Sequence, residues 1–138
     1  MRIELRADGP VAPDVVWQRY LVPACWSTWA PHITGVDCTD QVITATTTGR
    51  VRTLFGLSLP FDVLDLDHSA RSWRWSVHGP YGMRMTLRHT VTATAEGSAT
   101  DLAVYGPPVL VLGYAPVAQL ALHRLVTLPT VPAARPPR

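Results

Sequence analysis

Two runs of strict alternation, Ser72–Val77 and Met83–Val91, constrain this chain more than any other stretch. On a strand, successive side chains leave opposite faces, so a period of two separates a dry set from a wet one. Trp73, Trp75 and Val77 share one face of the first run, and Met83, Met85, Leu87, His89 and Val91 share one face of the second. Arg74, Ser76, Arg84, Thr86, Arg88 and Thr90 take the opposite faces. Between the runs, Gly79-Pro80-Tyr81-Gly82 supplies the chemistry of a reversal, so the two predict an antiparallel pair. Tryptophans and methionines on one inner face are bulky and soft. They suit the wall of a cavity for an apolar guest, with ordinary core packing as the alternative for each.

A chain of 138 residues reads as one domain, long enough to bury a real core. It is 47% hydrophobic and only 16% charged, with a net charge of +2, which is too small a bias for nucleic acid. All 12 basic residues are arginines, spread over the strands rather than gathered in a stripe. Cys25 and Cys38 form neither a metal spacing nor a disulfide framework, and no cofactor motif is present. The amino terminus has no apolar signal core. The most apolar stretch, 109–122, is interrupted by Gly113, Pro116 and Gln119 and falls short of the roughly 20 residues that a bilayer requires. These features predict a cytoplasmic protein with no membrane span and no metal or cofactor.

Along the chain, residues 2–8 alternate as a first strand. Ala12-Pro13-Asp14 begins a helix that runs to about Val22, since proline suits an early helical position and aspartate the positive end. A second short helix is expected over 24–29, before Pro31. Strands follow: a short one over 36–39, a strongly β-favouring Val42–Thr48, a break or bulge at Gly49, then Arg50–Leu54, 60–66, the two alternating runs and 100–105. Gly106-Pro107-Pro108 stops the sheet, and 109–128 reads as one long helix with a kink or a break expected near Leu112 because Pro116 removes a donor. Tyr114, Val117, Ala118, Ala121, Leu125 and Leu128 share a face of it. The proline-rich segment 129–138 is expected to be a disordered tail beyond a single domain at 1–128.

This order resembles the helix-grip fold of the START-like superfamily, also called the SRPBCC or polyketide cyclase/dehydrase and lipid-transport group. The residues that carry the resemblance are Trp29-Ala-Pro-His-Ile33, the Gly49 segment, Leu59-Pro-Phe-Asp-Val63, Arg71–Val77, Leu87-Arg-His-Thr-Val91 and Asp101–Pro107 leading into the last helix. The resemblance implies an α+β fold in which a curved antiparallel β-sheet wraps a long C-terminal helix, with two short helices after the first strand. It also implies a deep cavity between sheet and helix, used by members to bind lipids, hormones or polyketides and by some to cyclise or dehydrate polyketide chains.

No compact catalytic motif is present, so any chemistry must come from polar groups that converge from separate elements. His89, in phase with Met85 and Leu87, points inward and would be neutral near pH 7, fit for proton transfer. Tyr114, on the inner face of the last helix, is its expected partner. Trp29, His32, Arg52, Trp73, Trp75, Met83, Met85 and Leu87 complete the expected ligand wall. His32 is placed in a loop at the mouth. Arg50 and Arg52 share a face that favours solvent, although a buried Arg52 could hold an enolate or carboxylate. Tyr105 is out of phase with Leu102 and Val104 and reads as outward, as do Asp62, Asp65 and Asp67. The expected function is binding of a hydrophobic, aromatic or polyketide-like molecule with its cyclisation or dehydration. The alternative is a non-catalytic carrier or sensor. The last helix could also bury part of a homodimer interface.

Overall fold

The computed structural model describes residues 1–129. Seven strands form one antiparallel sheet in the order β1-β7-β6-β5-β4-β3-β2, where β1 is Arg2–Gly9, β2 Ile33–Cys38, β3 Thr48–Thr53, β4 Ser58–Asp67, β5 Ser72–His78, β6 Arg84–Thr94 and β7 Gly97–Tyr105. Two short helices, α1 (Pro13–Leu21) and α2 (Trp26–Trp29), follow β1, and the long α3 (Pro108–Thr127) closes the chain. This is the helix-grip α+β architecture. The expected tail falls almost wholly at 130–138, outside the described residues.

The alternation holds where it was clearest. Trp73 faces His89, Trp75 faces Leu87 and Val77 faces Met85 across the β5–β6 ladder, and all point to the inner face. Arg74 and Arg88 lie opposite each other on the outer face. A bulge between Val63 and Asp65 turns Leu64 out to solvent and returns Leu66 to the inner side.

Two expectations from local sequence do not hold. Val42–Thr48 is not a strand: residues 40–47 form a turn-rich loop, and β3 starts only at Thr48. The threonine hydroxyls are used locally instead, Thr47 Oγ1 donating to Asp40 at 2.6 Å and accepting from the Thr44 amide at 2.8 Å. Such bonds offer the backbone an alternative to a ladder. Ile43 anchors the loop in the core, its amide donating to the Leu21 carbonyl at 2.8 Å. Nor does Gly49 break the strand. It sits within β3 because the Phe61 ring crosses it, 2.9 Å from where a Cβ would stand.

α3 continues through Pro116, whose neighbourhood on the helix is exposed, so the carbonyl left without a donor can be solvated. At 20 residues, with an 18-residue window of mean hydropathy 1.5, α3 is longer than the apolar run suggested and meets the length and composition of a bilayer span. Its inner face, with Val111, Ala118, Ala121, Leu122, Leu125 and Val126, is buried against the sheet and the short helices. Arg19 of α1 donates to the carbonyls of Leu125 and Leu128 at 2.8 Å each, which satisfies open acceptors at the end of α3. Gly9 allows the other close approach, since a Cβ there would meet the Val126 carbonyl oxygen at 2.1 Å.

The core is aromatic. Trp73 stacks on Trp75 with ring centroids 5.3 Å apart and on His89 at 5.0 Å, and Trp26 of α2 lies 5.7 Å from Trp73 and 5.5 Å from Phe61. Each such pair contributes about 0.5–1.5 kcal/mol beyond area burial. Trp73→Ala is expected to lower unfolding free energy by about 3–5 kcal/mol in urea titration. Leu64→Ala, at the exposed bulge, should change it by less than about 0.5 kcal/mol.

Candidate functional site

A small cavity opens between the mouth end of the sheet and the first half of α3. Its floor is Val51, Leu59, Trp75, Val77, Met85 and Leu87 from β3 to β6. Ile33 and Thr53 close one side, and two polar rings close the other: His32, from the connection between α2 and β2, and Tyr114, from α3. The room amounts to about 90 Å³. An engineered cavity of about 150 Å³ takes benzene, and ligand clefts usually run to about 300–1,000 Å³. In this state the cavity holds less than one aromatic ring. Wider grooves lie on the outer face around Arg88 and Tyr105, but they are shallow and lined by charged side chains.

His32 and Tyr114 meet edge to face, with centroids 5.4 Å apart. His32 is held from behind, its carbonyl accepting the Leu54 amide at 3.1 Å. Its Nδ1 is buried with no hydrogen-bond partner among the described residues. Burial lowers the His32 pKa and raises that of the Tyr114 phenol, so both rings are neutral at pH 7. The cavity therefore presents no charge. It offers a neutral imidazole and a phenol on an otherwise apolar wall.

Of the residues expected from sequence, the cavity gathers His32, Trp75, Met85, Leu87 and Tyr114. The other five stand elsewhere. His89 does point inward, but toward the deeper half of the sheet beneath α1. There Trp75 Nε1 donates to His89 Nε2 at 3.1 Å. That bond leaves the proton on Nδ1, which donates to the Tyr20 hydroxyl at 3.1 Å, and Tyr20 in turn donates to Thr100 Oγ1 at 2.5 Å. Both ring nitrogens are occupied, and His89 does not line the cavity.

Trp73 lies beside His89 in the same stack. Trp29 packs on Tyr20 at 5.5 Å and donates to the Arg19 carbonyl, behind the lining. Met83 stands at the end of the turn before β6, outside the lining. Arg52 faces solvent, 3.3 Å from Asp37, and its guanidinium covers Gly35. Arg50 is outward too, bonded to Ser58. Tyr105 is exposed under the Arg2 guanidinium, and Asp62, Asp65 and Asp67 lie on the outer face or in a turn.

Tyr20 and Thr100 were not singled out by sequence. Parity with Leu102 and Val104 marks Thr100 as inward, and the four-residue spacing from Val16 marks Tyr20 as facing the core, so the signal was present but not specific.

The sequence matches no model of a protein family and no curated protein. Its structure is similar to solved ones. The MLL2253 protein of Mesorhizobium loti superposes with a TM-score of 0.77 at 13% identity, over 91% of this chain and 93% of that one. Ara h 8.0201 gives 0.74 at 12% identity, over 91% and 94%. Major latex-like protein 151 of Panax ginseng gives 0.71 at 12% identity, over 94% and 98%. The likeness is one of fold: these proteins share the helix-grip arrangement of sheet and long C-terminal helix seen here.

The state of His89 sets a pH dependence. Burial lowers its pKa from the ordinary 6.5 to about 3. The unfolded chain takes up a proton below about 6.5 that the folded chain refuses until about 3, so this contribution to stability is complete above about 6.5 and is lost as pH falls through that window. His89→Gln keeps an acceptor for Trp75 and a donor for Tyr20 without the titration. Urea midpoints measured from about pH 7.5 to 4.5 should fall less steeply for the variant than for wild type, and parallel curves would exclude His89 as the group.

Proposed function

We propose that this chain binds a small, uncharged, largely apolar molecule in the cavity between Trp75 and Tyr114. The observation that carries this is an apolar space lined by His32, whose buried Nδ1 has no hydrogen-bond partner among the described residues. A ligand with one hydroxyl or carbonyl would satisfy the polar end while its hydrocarbon body contacts Trp75, Met85 and Leu87. The absence of charge from the wall favours a neutral ligand, because an ion would be desolvated with nothing to pair it.

Release unchanged, as by a carrier or sensor, needs no more than this. Cyclisation or dehydration of a polyketide-like chain would use the same pair, with His32 moving a proton and Tyr114 donating to a developing oxyanion. About 90 Å³ is far too little for an extended poly-ketone, so catalysis would first require the cavity to widen, whereas binding of a one-ring molecule requires only a small adjustment. The binding role is therefore the one supported. Cys25 and Cys38 are free thiols, which suits a reducing compartment such as the cytoplasm.

Tryptophan fluorescence and native mass spectrometry against phenolic, aromatic and short-chain ketone compounds test this directly. A bound compound should be lost on Val77→Trp, which fills the cavity. Its affinity should fall about fivefold to tenfold on Tyr114→Phe, the loss of one hydrogen bond. Binding unaffected by Val77→Trp, or no binding across the panel, would refute the proposal. A product of altered mass that disappears with His32→Ala would make the protein an enzyme.

A further inference from the structure

α3 buries one side and leaves an apolar stripe on the other. Val109, Leu112, Gly113, Pro116 and Leu120 are all exposed. At helical spacing they fall within about 100° of one another, on the side turned away from Val111, Ala118, Leu122 and Leu125. Val109 is 79% exposed, Leu112 57% and Leu120 49%, so the stripe is open along its whole length. Residues 108–122 contain no charged side chain. A helix that is apolar on all sides is ordinarily covered on all sides.

Two residues of the stripe are poor choices for a helix surface. Glycine weakens a helix interior through its backbone entropy, and proline removes an internal hydrogen bond. A Cβ at Gly113 would meet nothing within 4 Å among the described residues, so packing within one copy does not call for glycine there. Pro116 stands three residues on, on the same exposed face.

We infer that the stripe is the interface of a homodimer in which the α3 helices of two copies pair antiparallel. A twofold axis midway between Gly113 and Pro116 places Gly113 opposite the partner's Pro116. The same axis places Val109 opposite the partner's Leu120, since these two positions are also equally far from it. The proline ring then fills the glycine notch at the centre, and the large side chains meet at both ends. No like charges are brought together. The overlap spans the uncharged stretch, and the first arginine beyond it, Arg124, is turned back to donate to the Thr28 carbonyl at 3.1 Å. Antiparallel helix dipoles also attract. Lipid is a poorer occupant, because fluid chains gain nothing from a notch and the stripe offers headgroups no cation. The exposed parts of the five residues come to roughly 400 Å² per copy, about half the share of a standard interface. The dimer should therefore be weak, dissociating at about 10–100 µM. The inference is independent of what the cavity holds.

Sedimentation of the full chain from about 5 to 500 µM tests it, with the mean mass expected to rise from one chain toward two. Gly113→Ala fills the notch. It should raise the dissociation constant at least about tenfold while the urea midpoint of the dilute monomer holds or rises, because alanine is the better helix former. Val109→Asp with Leu120→Asp, both on exposed positions, should abolish pairing and leave the circular dichroism spectrum unchanged. In a Cys25→Ser, Cys38→Ser background, Val109→Cys chains mixed with Leu120→Cys chains should cross-link to each other faster than either does to itself. A chain that stays monomeric throughout, or a dimer that survives the double aspartate variant, overturns the inference. So does Gly113→Ala pairing as tightly as wild type, or a preference for like-with-like cross-links. A monomeric chain that floats with phosphatidylcholine vesicles, and loses this with the double variant, assigns the stripe to lipid and overturns it as well.

Discussion

The structure depends on a buried hydrogen-bond chain running through a stack of tryptophans. Trp75, His89, Tyr20 and Thr100 belong to β5, β6, α1 and β7, and each passes a donor to the next. In the low-dielectric interior an unmatched member would cost the full desolvation of its polar group, so the chain fixes how α1 sits on the sheet. Trp26 and Trp29 then have a defined surface to pack on, and their indole nitrogens donate to carbonyls of α1, Trp26 to Tyr20 and Trp29 to Arg19.

That arrangement divides the inner face into two halves. The half beneath α1 and α2 is filled, with Trp73, His89 and Val91 fully buried. The half beneath the first turns of α3 is less well filled and holds the cavity. The filled core and the proposed ligand contact thus lie at different lengths of the same strands. Trp75 belongs to both: its indole nitrogen serves the hydrogen-bond chain while its ring forms part of the cavity wall.

The polar groups follow the same division. His89 and Tyr20 are satisfied by each other and hold the fold, whereas His32 lines the cavity and its buried Nδ1 has no partner among the described residues. Two inward histidines, equally suggestive as residue types, have different roles because only one has its neighbours supplied by the protein.

The sequence by itself determined the faces of β5 and β6, the turn between them, the start of α1 at Pro13, the start of the last helix to within one residue, and, apart from the strand expected over Val42–Thr48, the element order of the helix grip. Each follows from local physics: period-two alternation, fixed proline geometry and turn chemistry. Where local preference competed with hydroxyl hydrogen bonding, as over Val42–Thr48, the chain took the loop. Only the tertiary structure decided which inward residues meet a cavity. Parity states that His89 and Leu87 both face in, but depth along the strand and the element lying above decide that Leu87 lines a space while His89 is sealed under Tyr20.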